Sequence, residues 1–311
     1  MAIDILLVLV GLALVVFGAD WLVDGASAVA RKAGISEFVI GLTIVGFGTS
    51  CPELVVSLTG AIQGNADISI GNVVGSNIFN VLVILGITAA LVPVAVSPAN
   101  TKRDIPITLL VTLMLVATAL IGSDINLIEG IVYLLIFAAY LYYCFKFDTG
   151  NDSGEEEEHK VKNVWVSILL ILAGLAGLIF GGQLFVNHAT SIAHAIGVSD
   201  KVIALTLLAG GTSLPELATS VVAATRHKAQ LALGNILGSN VFNILLILGL
   251  SSVITPLSTV SMTAFDYGAL VLSAAMLLLW SFVGGKNKID RWEGIVMLLT
   301  YAAYMVVLFL N

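Results

Sequence analysis

Charge is what this sequence has least of. Of 311 residues only 11% are charged and 59% are hydrophobic, where a soluble globular chain carries about 25% charged residues. That balance excludes a water-soluble enzyme or binding module and leaves an integral membrane protein. Positive charge is the scarcer kind, thirteen Lys and Arg against twenty Asp and Glu, so no basic patch exists to hold nucleic acid. Two cysteines give no disulfide framework; Cys51 and Cys144 read as free packing thiols. No Cys and His converge in one stretch, which disfavours zinc, copper and iron. No nucleophile–base pair or metal triad is visible, so the chain reads as neither an enzyme nor the holder of a cofactor. The start, Met1-Ala2-Ile3-Asp4, lacks a basic region, and the apolar run behind it is too long for a cleaved signal peptide. Alternating barrel strands are missing as well.

What is there is a set of long apolar runs, each near the roughly 20 residues that an α-helix needs to cross a bilayer. Ten spans are expected, at 4–31, 37–62, 69–92, 104–121, 126–147, 163–194, 200–225, 230–254, 264–283 and 290–310. The chain is duplicated. Residues 39–86 align without a gap on 202–249, with about half the positions identical, more than chance supplies. Gly11, Gly18 and Gly34 recur at the same offset as Gly174, Gly181 and Gly197. Glu129-Gly130 and Ala138-Ala139-Tyr140 return, one residue later, as Glu293-Gly294 and Ala302-Ala303-Tyr304. The expected fold is therefore an all-α membrane protein of ten transmembrane helices in two five-helix repeats, 1–147 and 163–311. An odd number of spans per repeat inverts one half relative to the other.

Twelve of the thirteen cations fall in loops or helix ends after odd-numbered spans, with Lys201 the exception. By the positive-inside rule those loops are cytoplasmic. Both termini are then extracellular, and the acidic linker 148–162, with Glu155-Glu156-Glu157-Glu158-His159, is a cytoplasmic hinge. Fifteen residues are too few for a separate sensor domain.

The most polar stretches sit inside the apolar runs, and they sit there twice. Gly48-Thr49-Ser50-Cys51-Pro52-Glu53 returns as Gly211-Thr212-Ser213-Leu214-Pro215-Glu216. Gly71-Asn72, Gly75-Ser76-Asn77 and Asn80 return as Gly234-Asn235, Gly238-Ser239-Asn240 and Asn243. A proline inside a helix removes one backbone hydrogen bond and clashes with the carbonyl four residues earlier. Pro52 and Pro215 are expected to break spans two and seven and free carbonyls near Gly48 and Gly211. Thr49, Glu53 and Ser57 follow four-residue spacing, as do Asn72, Ser76 and Asn80 with their copies, so four helices turn oxygen-rich faces inward. Oxygen-only ligands select hard cations. Two carboxylates, Glu53 and Glu216, neutralise one Ca²⁺, while uncharged hydroxyls and carbonyls suit Na⁺. No Lys or Arg lies mid-span to pair with either Glu. Intramembrane carboxylates duplicated in two halves mark an ion site at a repeat interface.

Some roles stay open in the sequence. Asn72 and Asn235 are either ligands or amides that tie down the broken helix ends. Gly71-x-x-x-Gly75 and Gly234-x-x-x-Gly238 also read as packing motifs. Asp20 and Asp24 correspond to Gln183 and Asn187, and they either line a wet path or pair with hydroxyls. His188 and His194, near a helix end, read as surface or interfacial residues.

The doubled Gly-Thr-Ser-x-Pro-Glu and Gly-Ser-Asn blocks resemble the two α-repeats of the cation/calcium antiporter superfamily, most of all its prokaryotic sodium/calcium exchangers. The resemblance spans essentially the whole chain. It implies that Glu53 and Glu216 bind calcium, with carbonyls from Thr49 and Thr212, and that Asn80 and Asn243 complete the cluster. It also implies sodium sites from Ser50, Ser213, Ser76, Ser239 and the carbonyls of Gly46 and Ala209. Asn243 stands where potassium-dependent relatives have Asp, which leaves two formal negative charges and weakens the case for potassium. Val73-Val74-Gly75 after Gly71-Asn72 matches the proton/calcium branch poorly. The implied activity is sodium-driven calcium antiport by alternating access in a cell membrane, three Na⁺ for one Ca²⁺, with the first and sixth helices sliding on the rest. Proton- or potassium-coupled exchange is the alternative, and a calcium-permeable channel a third reading. Na⁺, Ca²⁺ and the lipid bilayer are the only partners implied.

Overall fold

A computed structural model describes residues 1–64, 66–122, 124–147, 163–197, 209–259, 262–283 and 287–310, without the side chains of Ala2, Ala66 and Ala209. The acidic linker, Lys201 and the first part of the seventh expected span lie outside the described residues. Among the described residues twelve helices are seen: α1 (Ala2–Ala33), α2 (Glu37–Thr49), α3 (Cys51–Ile62), α4 (Asp67–Leu91), α5 (Asn100–Ile121) and α6 (Leu127–Phe147). Then follow α7 (Val164–Ala195), α8 (Ala209–Thr212), α9 (Leu214–Thr225), α10 (Ala229–Ile254), α11 (Ala264–Val283) and α12 (Arg291–Leu310). Eight of them are long and apolar enough to cross a membrane, and α2 with α3 forms a ninth candidate bent by 50°.

Four two-residue strands add to the helical reading: β1 (Val94–Ala95), β2 (Asp124–Ile125), β3 (Leu257–Ser258) and β4 (Lys288–Ile289). β1 pairs with β4 and β2 with β3, both antiparallel. Each ribbon staples a loop of the first half to a loop of the second and satisfies backbone groups that helix ends leave unpaired.

Helices α4 and α10 are the centre of the molecule. Of their apolar stretches 78% and 83% are buried, against 17–44% for the other six long helices. They carry the second polar block of each half, so burial puts those amides where lipid cannot reach them. The outer helices turn Leu9, Leu110, Leu172, Phe180 and Leu299 outward, as a bilayer requires.

Small residues set which helices touch. Gly86 of α4 meets the Gly294 carbonyl of α12, and Gly130 of α6 meets the Gly249 carbonyl of α10. Along α1, Gly11, Gly18 and Gly25 lie against the carbonyls of Gly181, Gly174 and Ser167 on α7. Steps of seven on both chains, running in opposite senses, define one long antiparallel seam. A Cβ at Gly18 would stand 2.8 Å from the Gly174 carbonyl oxygen; the two backbones approach this closely because no side chain intervenes.

Two acids outside the central blocks have their own partners. Asp104 takes two bonds from Arg103, at 2.8 and 2.9 Å, and others from Asn100 and Tyr140. Asp266 is held by Thr263 and Tyr304.

Candidate cation site

The site is built where two helices are broken. α2 ends at Thr49, Ser50 takes φ −81° and ψ 6°, and α3 resumes at Cys51 with Pro52 in its first turn. The second half repeats this: α8 ends at Thr212, Ser213 has φ −89° and ψ 8°, and α9 resumes at Leu214 with Pro215 behind it. Pro52 and Pro215 have no N–H to offer the preceding turn but suit the start of a helix.

Ser-x-Pro-Glu also spells a capping box, in which the Ser and the Glu three residues later would satisfy their own helix end. Neither serine caps its own helix. Ser50 Oγ instead donates to Glu216 Oε1 of the other half at 3.0 Å, and Ser213 Oγ donates to Glu53 Oε1 at 3.1 Å. The crossed pair brings both carboxylates to one place, each only 1% exposed. Each sits in the first turn of its helix, where the positive end of the dipole favours an anion.

The amides follow the same symmetry. Asn72 Nδ2 donates to the Glu53 carbonyl and Ser57 Oγ; Asn235 Nδ2 donates to the Glu216 carbonyl and Ser220 Oγ. Of the two readings left open for Asn72 and Asn235, these bonds describe the tie to the broken helix. Thr49 Oγ1 reaches Asn235 Oδ1 at 3.2 Å and the Val45 and Gly46 carbonyls at 3.1 and 3.3 Å. The Gly46 carbonyl also accepts from the Ser50 N–H. Ala209 opens α8.

Asn77 and Asn240, which spacing alone did not single out, orient the centre. Asn77 Nδ2 donates to the Asn240 carbonyl, so its Oδ1 is the atom left to accept from Asn243 Nδ2, at 2.9 Å. Asn80 Nδ2 donates to Asn240 Oδ1 at 3.0 Å. Asn77 lies three residues and Asn240 two residues before wide π-turns, Asn80–Leu85 and Phe242–Leu248, a distortion frequent at functional sites. The signal was present, since Asn77 and Asn240 recur in the duplicated block, but they fall off the four-residue stripe.

The bonds above use one oxygen of each Glu and the nitrogen of each central Asn. Glu53 Oε2, Glu216 Oε2, Asn80 Oδ1 and Asn243 Oδ1 are buried with no partner, and so is Ser239 Oγ. Buried oxygens without donors are costly. Four acceptors, two of them from carboxylates, can hold a hard cation. Among the described residues no three His, Cys, Asp or Glu side chains gather. Ser76 is buried on α4 and Thr212 partly exposed at the end of α8.

Asp20 and Asp24 have a basic partner that the sequence reading did not name. They pair with Arg226, at 2.5 and 2.6 Å, because the end of α9 lies beside α1. His188 Nδ1 lies 3.0 Å from Asp4 Oδ1, between α7 and α1.

Known proteins share this architecture. The chain is 36% identical to the sodium/calcium exchanger MaX1 of Methanosarcina acetivorans over 99% of both chains. It is 40% identical to an uncharacterized membrane protein of Methanocaldococcus jannaschii over 94% of both. Among solved structures, the sodium-calcium exchanger NCX_Mj soaked with Na⁺ and Ca²⁺ superposes with a TM-score of 0.84 at 35% identity, covering 98% of each chain. Its structure without either ion gives 0.86. Residues 3–146 and 166–310, both halves with their paired Glu and Asn blocks, match the sodium/calcium exchanger protein family, and the chain belongs to that family.

Proposed function

We propose that this protein exchanges Na⁺ for Ca²⁺ across a cell membrane, with each ion occupying the same central site in turn. The observation that carries this is the set of four buried, unpartnered oxygens contributed equally by two related halves. Glu53, Glu216, Asn80 and Asn243 hold Ca²⁺, with help from the carbonyls of Thr49 and Thr212. Na⁺ takes the hydroxyls of Ser50, Ser213, Ser76 and Ser239 and the carbonyls of Gly46 and Ala209. Two negative charges balance Ca²⁺, and no third carboxylate is present to favour K⁺ as a companion.

The working arrangement is ten spans in two inverted repeats, 1–147 and 163–311, joined by the linker 148–162. Pairing of β1 with β4 supports that count, because it sets the loop after α4 and the loop before α12 on one face. An even number of crossings must separate them. Counting the seventh expected span, 200–225, as one crossing gives six. With the cations placed inside, both termini are extracellular.

The test is ⁴⁵Ca uptake into proteoliposomes loaded with Na⁺, with K⁺, or with a pH gradient alone. Uptake only in the Na⁺-loaded vesicles, saturating with calcium, is expected. Uptake equal in K⁺ or pH vesicles would replace sodium as the driver, and non-saturating uptake without counter-ion would make the protein a channel.

The bonds of Asn77 and Asn240 yield a second expectation. Asn77→Leu leaves Asn243 Nδ2 with no acceptor, so its amide turns and the Oδ1 leaves the centre. Groups that orient metal ligands cost roughly 10–100-fold in affinity when removed. Calcium binding to purified Asn77→Leu is expected to weaken by that factor, with the helical spectrum unchanged. An unaltered affinity would remove Asn77 from any such role.

A further inference from the structure

The two halves match in sequence but not in packing. α1 lies along α9, and Ala19, Leu22, Val23, Ala26 and Ala30 are buried in one cluster with Ala223 and Ala224. The equivalent pair in the repeat, α7 with α3, has no comparable contact. Gln183 and Asn187 of α7 are exposed where Asp20 and Asp24 of α1 are only partly so. Around the centre, Thr49 and Asn235 are buried, while their counterparts Thr212 and Asn72 are partly exposed. On one face α1 is closed onto α9; on the other the described residues show no matching contact of α7 with α3.

Charge marks the closed face. Arg226, which caps α9, reaches Asp20 and Asp24, one turn apart on α1, with all three side chains about a third exposed. At the repeat offset of 163 these three become Gln63, Gln183 and Asn187, so the equivalent positions carry no charge to form such a contact. The glycine seam joins α1 to α7 along its length, so whatever holds α1 to α9 holds both.

We propose that Arg226 is a latch: its double ion pair with Asp20 and Asp24 holds the α1–α7 pair against the bundle on one face and biases the protein toward the state open on the other. This rests on the alternating-access reading above, and in the proposed orientation the latched face is cytoplasmic. A partly exposed network of this kind is worth little as a stabiliser of the fold. Between two states of nearly equal energy the same small term decides the population.

The test uses two reporters in a Cys51→Leu, Cys144→Ala background: Ala224→Cys on the closed face and Gln183→Cys on the open one. Labelling by a water-soluble thiol reagent is followed in proteoliposomes. With Arg226→Gln, labelling at 224 is expected to rise roughly threefold to tenfold and labelling at 183 to fall. Asp20→Asn with Asp24→Asn should give the same shift, and adding Arg226→Gln to that pair should give nothing further. Unchanged rates at both reporters would overturn the latch. So would a rise at both, which reports loosening and not a change of state. Na⁺-driven ⁴⁵Ca exchange by the reporter background separates the two levels. If it exchanges and the rates do not move, the latch alone is wrong; if it does not exchange, the transport reading fails and the latch with it.

Discussion

Glu53→Gln and Glu216→Gln are each expected to abolish calcium exchange while leaving the protein folded and inserted. Glutamine keeps an oxygen that can accept from Ser213 or Ser50, so the crossed bonds that join the two halves survive. What disappears is one of two buried charges, and an amide N–H₂ takes the place of an oxygen that has no partner in the protein. Removing one member of a buried charge pair costs about 3–5 kcal/mol, or roughly two to four decades of affinity. In cation-free buffer the sign should reverse. Two buried carboxylates repel when nothing lies between them, so either mutant should melt above the unmutated protein without Ca²⁺ and Na⁺, and below it with them. ⁴⁵Ca exchange and thermal melts on the same purified samples measure both effects. Near-normal exchange by either mutant would take that residue out of the site.

Exchange should also carry current. With both carboxylates ionised the Ca²⁺-loaded site is neutral, whereas the three Na⁺ implied by the family resemblance leave it with one positive charge. One net charge then crosses with sodium. Moving it through 100 mV is worth ~2.3 kcal/mol. A tenfold sodium gradient adds about 1.4 kcal/mol per ion, roughly 4 kcal/mol for three. Together they sustain a calcium ratio of roughly four to five decades, enough to export calcium from a cell. The equilibrium ratio should change about tenfold for each ~60 mV. In proteoliposomes with a valinomycin-set potential and a fixed sodium gradient, a ratio indifferent to voltage would mean electroneutral exchange, and with it two sodium ions in place of three.

Much of this was open to a reader of the sequence, because in a membrane the constraints are severe. Apolar runs of about 20 residues have one way to satisfy their backbone, as helices, and the expected spans lie close to α1, α4 to α7 and α10 to α12. Proline cannot continue a helix, so the break before Pro52 follows from covalent structure. Glu53 and Glu216 stand out because carboxylates at membrane depth are rare and nothing basic lies near them in the chain.

The tertiary structure decided what those groups touch. Ser-x-Pro-Glu is a local capping signal, and no local rule says that Ser50 abandons its own helix for Glu216, 166 residues away. Asn77 and Asn240 were hidden because the stripe was drawn at four-residue spacing alone, whereas each stands three residues before Asn80 or Asn243, the other spacing that puts side chains on one helix face. Arg226 reads in the sequence as one more cytoplasmic cation. That it pairs with Asp20 and Asp24 depends on α1 lying beside α9. Local chemistry is written along a chain because each residue carries its own solvation and backbone preferences. A partner across the repeat is not, because it depends on how two halves of similar sequence settle into unlike packing.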